Sequence, residues 1–209
     1  ADVTWRLTGI PGICHATFGP GATNISTGVG GALLDRSAVI VLTSEMGETM
    51  INRTTQMNID HQALFRPLTL ATFRLSDVNA ASVMRSATDL CRGSYPGPVH
   101  IGLPSGLAEK EVSIAGSHQE TLSHATHYSN DLHRIISLLD RSRRPLLAVG
   151  LTAARNRLQG RILEFLDFYR IPAVITPMAK GLIPEDHPSY AGVLFHSLSD
   201  YLDDLLVKT

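Results

Sequence analysis

The chain has 209 residues, 44% of them hydrophobic and 18% charged, with a formal net charge of −1. That length accommodates one large domain or two small ones around a real core, and the near-neutral charge, without a long Lys/Arg run, leaves no electrostatic footprint for nucleic acid. Cys14 and Cys91 lack metal-ligand spacing, and neither an 18-residue apolar run nor a signal-peptide pattern is seen, so the sequence reads as a reduced, cytoplasmic, non-membrane protein acting on small molecules or other proteins.

The chain opens on ADVTWRLTG without Met and ends on DYLDDLLVKT, an amphipathic helical pattern that reads as unfinished; both ends are expected to be cuts. Between them, five short apolar runs bounded by Gly, Pro or small polar residues predict strands at 12–17, 37–43, 98–104, 145–150 and 171–176. Continuous apolar runs, rather than alternation, suit a parallel sheet covered on both faces. Helical patterns fall between them at Asn24 to Leu34, Val78 to Cys91, Asp131 to Leu139 and Leu158 to Tyr169. The second is expected to align Val83, Ala87, Leu90 and Cys91 on one face, and the last to align Ile162, Phe165 and Tyr169. Strands alternating with helices predict an α/β fold with two parallel-sheet units, both expected to be incomplete. The polar stretch 108–129, with His118, His124 and His127, breaks this rhythm and reads as a linker between a unit at 1–107 and one at 130–209.

Three segments carry candidate chemistry. The first, Gly19-Pro20-Gly21-Ala22-Thr23-Asn24, sits where a strand gives way to a helix, at the carboxyl end where open α/β sheets place ligands. It lacks the Gly-Lys-Ser/Thr of a phosphate loop and the Gly-x-Gly-x-x-Gly spacing of a dinucleotide fingerprint. On the residues alone, Pro20 and Asn24 fit a ligand contact and a purely structural turn equally well. The second, 47–69, reads as a long polar loop after the 37–43 strand. Gln56 and His61 are its notable side chains, either as site groups or, respectively, as a backbone hydrogen-bonder and, with Asp60, the opening of a helix. The third, 177–192, offers Lys180 to an anion, while Pro184 and Pro188 are expected to hold Glu185, Asp186 and His187 on an extended path unsuited to shared metal coordination. Ser44 and Ser105 lack a Gly-x-Ser-x-Gly elbow and do not read as nucleophiles.

Taken in order, five segments resemble one family. GIPGICHATFGPGATN (9–24) resembles the strand, loop and small-residue helix of the pyrimidine-binding domain in thiamine-diphosphate enzymes, most of all the acetolactate synthase and pyruvate oxidase group. TTQMNIDHQALFRPLT (54–69) and GPVHIGLP (97–104) are similar to later parts of that domain. RPLLAVGLTAAR (144–155) and IPAVITPMAKGLIPEDHPSYAG (171–192) are similar to the first half of the central domain. The resemblance implies the C-terminal part of a pyrimidine-binding domain at 1–107 and the N-terminal part of a Rossmann-like central domain at 130–209. It implies thiamine diphosphate with Mg²⁺ as cofactor, a 2-oxo acid substrate undergoing decarboxylation or carboligation, and a homodimer or homotetramer.

Carried over residue by residue, the resemblance puts Gly19, Pro20 and Asn24 beside the cofactor's aminopyrimidine ring. It matches Gln56 to a glutamine that points into the active site. In flavin-binding relatives, Gly150 and Lys180 would contact FAD or ADP. The family's activating glutamate lies upstream of RLTGIPG, and its Gly-Asp-Gly…Asn motif for Mg²⁺ and diphosphate lies in a third domain; neither is within the 209 residues. A fragment inactive alone is therefore expected, with a non-catalytic or degenerate homologue, serving as a subunit or nucleotide-binding module, as the alternative. Leu70 stands where the family usually has lysine, Phe18 where it has serine or threonine, and the loop around Gln56 is one residue longer.

Overall fold

The computed structural model describes residues 1–53, 55–110, 129–195 and 200–207. The chain divides into two compact units, Ala1–Glu120 and Thr121–Thr209, and most of the expected linker at 108–129, with its three histidines, lies outside the described residues.

In the first unit the elements run α1 (Asp2–Thr8), β1 (Gly12–Ala16), α2 (Pro20–Leu34), β2 (Val39–Glu45), α3 (Glu48–Ile51), α4 (His61–Phe65), β3 (Ala71–Arg74), α5 (Ala80–Cys91) and β4 (Pro98–Pro104). All four strands are parallel, in the order β1-β2-β4-β3. The two central strands explain the continuous apolar runs. Along β2, Val39 and Val41 point to one face, where they pack with Ala22, Val29 and Ala32 of α2 and Phe65 of α4. Ala38 and Ile40 point to the other, where Val83, Ala87 and Cys91 of α5 meet Val99 and Ile101 of β4. Helices cover both faces, so neither set of side chains has to be polar. At the edge, β1 alternates instead: Ile13 and His15 are exposed.

The second unit repeats the logic on a smaller scale. It comprises α6 (Ser129–Arg141), β5 (Leu147–Val149), α7 (Leu151–Arg155), α8 (Gln159–Tyr169), β6 (Ala173–Ile175), β7 (Tyr190–Val193) and α9 (Asp200–Val207), with a parallel sheet in the order β5-β6-β7. Val149, Leu166, Ala173, Ile175, Ala179 and Ile183 form its buried centre.

The α/β architecture with two parallel sheets therefore stands as expected, while several local expectations need correction. Leu90 does not join the buried stripe of α5: it is 43% exposed, whereas Val83, Ala87 and Cys91 are buried. In α8 the fully buried side chain is Leu166, and Tyr169 is 41% exposed, packed at a tilt on Phe165 with centroids 4.6 Å apart. The 47–69 segment is not one loop. Asp60 caps α4 by accepting from the Ala63 amide (2.9 Å), and buried Phe65 anchors that short helix to the sheet. Nor is 184–190 extended: the His187 amide donates to the Pro184 carbonyl (3.0 Å) and the Tyr190 amide to that of His187 (2.8 Å), giving successive turns. Pro188, the second residue of the 187–190 turn, supplies the fixed φ which that position needs.

Ile101, fully buried at the centre of β4, is the packing test of the first unit. Ile101→Ala is expected to lower stability by about 2–5 kcal/mol, read as a lower urea midpoint by the fluorescence of Trp5, the chain's single tryptophan, which packs against the same cluster.

Candidate functional site

The Gly-Pro-Gly loop turns the chain from the carboxyl end of β1 into α2. Gly19 is the N-cap, with φ +65° and ψ −123°, a conformation that side-chain-bearing residues rarely adopt. A second constraint acts at the same place, because a Cβ on Gly19 would fall 2.8 Å from the Cβ and carbonyl oxygen of Met57. Met57 itself has φ +57°. Pro20 then occupies the first helical position, where its missing N–H costs nothing and its fixed φ suits the helix.

Two clefts flank this loop. One, of about 510 Å³, is lined by Phe18 and Met57 on an apolar side and by Glu45, Asp60, Gln62 and Arg74 on a polar one. The other, of about 270 Å³, is lined by Cys14, Asn24, Ile25, Gly28, Val29 and Val39. Gly19 is buried, while Pro20 and Asn24 are exposed. Gln56 is exposed in a turn beside Met57, and it is Met57, not Gln56, that lines the larger cleft. Asn24 and the 57–62 segment thus line different clefts.

Beneath the loop lies a connected set of polar side chains. Thr43 on β2 and His100 on β4 point to the α4 side of the sheet. Thr72 on β3 is the register partner of His100, and His61 and Gln62 come from α4. His61, Thr43 and His100 are buried, and the His100 ring stacks on Phe65 at 4.4 Å. Gly19 N–H donates to His61 Nε2 (3.1 Å). Because an amide can only donate, His61 Nε2 accepts, and the ring's proton sits on Nδ1, 3.0 Å from Thr43 Oγ1. Thr43 accepts that proton's bond and donates to His100 Nε2 (2.8 Å), which leaves the His100 proton on Nδ1, donating to Thr72 Oγ1 (2.6 Å). Thr72 donates to Gln62 Oε1 (2.6 Å). Gln62 Nε2 donates to Glu45 Oε1 (2.7 Å) and to the Phe73 carbonyl (3.1 Å). Arg74 Nε donates to Glu45 Oε2 (2.8 Å), and its Nη2 to the Met46 carbonyl (3.0 Å). A Cβ on Gly102 would fall inside the Glu45 carboxyl group, so glycine there makes room for the end of the chain.

Both imidazoles are neutral in this arrangement, and their surroundings agree. Burial lowers the His61 pKa, against the opposing pull of Glu45 and Asp60. Burial, with a smaller contribution from His61, lowers that of His100 to about 4.

The sequence had singled out His61 and Asp60; it gave no role to Thr43, His100, Thr72, Gln62, Glu45 or Arg74. The one available signal was a histidine inside the fully apolar PVHIGLP run, since a buried polar group in a central strand needs partners.

In the second unit, Gly150 and Lys180 both follow carboxyl ends of strands: Gly150 is the N-cap of α7, and Lys180 closes the 3₁₀ turn after β6. Lys180 is exposed, 3.4 Å from Glu185. Among the described residues no group of three His, Cys, Asp or Glu side chains could hold a metal ion, so they do not fit Mg²⁺, and no helix is long and apolar enough to cross a membrane.

The depressed His100 pKa has a signed consequence. Between pH 6.5 and about 4 the unfolded chain takes up a proton at this position that the folded chain refuses. Its neutral form therefore loses stabilisation as pH falls through that window, by about 3 kcal/mol in all. Urea midpoints of the wild type are expected to fall more steeply between pH 7 and 4.5 than those of His100→Gln; parallel declines would contradict this.

Two family models match the chain: the N-terminal TPP-binding domain of thiamine pyrophosphate enzymes over residues 1–64, and the central domain of the same enzymes over residues 132–208. Among curated relatives, the probable acetolactate synthase large subunit of Methanocaldococcus jannaschii is 31% identical over 206 residues, covering 93% of this chain and 34% of the relative. The acetolactate synthase large subunit of Pyropia yezoensis is 30% identical over 205 residues, covering 93% and 34%. The isozyme 2 large subunit of Escherichia coli is 28% identical over 190 residues, covering 90% and 35%. The chain thus spans about a third of the length of these relatives. With both domain models in family order on two parallel-sheet units, it belongs to the thiamine pyrophosphate enzymes, on the acetolactate synthase-like side.

Proposed function

We propose that this chain supplies the aminopyrimidine wall of a thiamine-diphosphate site in an enzyme of acetolactate synthase type that decarboxylates or joins 2-oxo acids. The observation that carries the reading is the Gly19–Asn24 loop: it stands at the carboxyl end of a parallel strand, inside the segment matched by the TPP-binding domain, with Pro20 and Asn24 exposed. Its chemistry fits the ring half of the cofactor. The loop from Thr17 to Asn24 has no charged side chain, which suits a neutral heteroaromatic ring, not a diphosphate. When bound, the cofactor supplies the carbanion chemistry, while Gly19, Pro20 and Asn24 contact and orient its ring.

On this reading residues 1–107 are the C-terminal part of a pyrimidine-binding domain, and residues from 130 onward begin a central domain. Mg²⁺ and the diphosphate are held by groups outside the described residues. Gln56, in a loop one residue longer than the family pattern, is a candidate to face substrate from its turn. Gly150 and Lys180 are the candidate contacts for FAD or ADP, at the carboxyl ends of β5 and β6. Assembly is as a homodimer or homotetramer in the cytoplasm, and the 209 residues alone do not turn over pyruvate. A second reading, a non-catalytic subunit, draws on Leu70: in the family's lysine position, it lies against Gly97, and its amide donates to the Pro98 carbonyl (2.8 Å).

Thiamine, which carries the ring without the diphosphate, isolates the proposed contact. Titrated calorimetrically into the 209-residue chain, it is expected to bind Asn24→Ala about 2- to 10-fold more weakly than wild type, the range for one lost hydrogen bond. Ile51→Ala, in the larger cleft and outside the hydrogen-bonded chain beneath the loop, should bind as wild type does. Equal affinity for Asn24→Ala would contradict the wall, and pyruvate turnover by the chain with Mg²⁺ and thiamine diphosphate would contradict its inactivity alone.

A further inference from the structure

The polar chain beneath the loop has a property that its individual bonds do not. Its two ends are chemically fixed: an amide, which can only donate, at Gly19, and a carboxylate ion-paired with Arg74, which can only accept, at Glu45. Each neutral imidazole has one hydrogen and one lone pair, and each threonine a single hydrogen, so the direction is imposed from the Glu45 end. Gln62 must donate to Glu45 and accept from Thr72; with the Thr72 hydrogen used, His100 donates to Thr72, Thr43 to His100 and His61 to Thr43. If one imidazole changed tautomer, an N–H would face an N–H or a lone pair would face a lone pair, in a region where His61, Thr43 and His100 have no water to substitute. Such an unmatched pair carries the full desolvation penalty of buried polar groups left unsatisfied.

We propose that His61, Thr43, His100, Thr72 and Gln62 form a one-way positioning relay, which locks the Gly19 loop to the Glu45–Arg74 ion pair on the floor of the larger cleft. These are positioning residues: none of them belongs to the proposed ring contact. The relay crosses the sheet from β2 through β4 to β3, and α4 supplies both its first side chain, His61, and the amide that reaches Glu45, Gln62. A disturbance at the cleft floor is thereby felt at the loop, and the reverse. The purpose assigned to this coupling, keeping the wall in one geometry, rests on the proposed reading of Gly19–Asn24 as a cofactor wall. The relay's existence can be tested with no cofactor present.

The measurement is side-chain and amide nitrogen NMR on the full chain at pH 7. Wild type is expected to show His61 and His100 both neutral with the proton on Nδ1; an Nε2–H tautomer or an imidazolium at either position would overturn the relay. Thr43→Val keeps the shape of the side chain and removes the link. It is expected to shift the Gly19 amide resonance and change the His100 tautomer signature, and Thr43→Ser, which restores the hydroxyl, is expected to return both toward wild type. A Gly19 amide unmoved in Thr43→Val would overturn the proposal. If Thr43→Val does not fold, the wild-type tautomers and the retention of both signatures in Thr43→Ser decide. A relay that passes while thiamine fails to bind at Asn24 leaves the relay standing and removes the cofactor reading.

Discussion

The Gly19 amide, donating to the buried Nε2 of His61, is the constraint from which the site is built. It ties a loop whose glycine has a positive φ to a helix of only five residues, and so joins two elements too short or too irregular to define their own positions. Once that bond exists, a neutral His61 must carry its proton on Nδ1, and with Gln62 held by Glu45 at the other end the roles of Thr72, His100 and Thr43 follow. Burial keeps both imidazoles neutral, which is the state the donor pattern needs. Packing and hydrogen bonding thus agree: Phe65, the anchor of α4, also stacks on the His100 ring.

This arrangement sits inside an ordinary doubly covered parallel sheet. The face of β2 that continues from Val39 and Val41 should, by alternation, present another apolar side chain at position 43, but presents threonine. The same face of β4 presents histidine at 100. Thr43 lies in the carboxyl half of β2, whereas His100 is the third of the seven residues of β4 and is level with Val41. On the same face Val39 and Val41 stay apolar against α2. Polar and apolar contacts therefore interleave on one face of the sheet.

Much of the fold was legible because its causes are local. The apolar runs at 12–17, 37–43 and 98–104 mark three of the four strands of the first sheet, and the helix after Gly-Pro-Gly follows from proline at its first turn. β3 escaped because ATFR is short and its Thr72 and Arg74 are polar for reasons of the network, not of the strand. β7 escaped similarly, its four residues all only partly buried. In the site, Asp60 was readable as a cap because capping is a three-residue relation. The relay was not, because its contacts join residues 19, 61, 43, 100, 72, 62 and 45, whose proximity depends on strand order and register. The family resemblance pointed to the Gly19–Asn24 loop as a proposed wall; the structure supplied the hydrogen bonds that tie Gly19 to α4 and the sheet.

The central claim is that Pro20 and Asn24 face the aminopyrimidine ring. Intermolecular NOEs between the pyrimidine protons of thiamine and the protein measure it directly, since they report contacts within a few ångströms. The account predicts contacts from the ring to the side chains of Pro20 and Asn24. Contacts instead to Phe18, Met57 and Arg74, in the larger cleft, would contradict it.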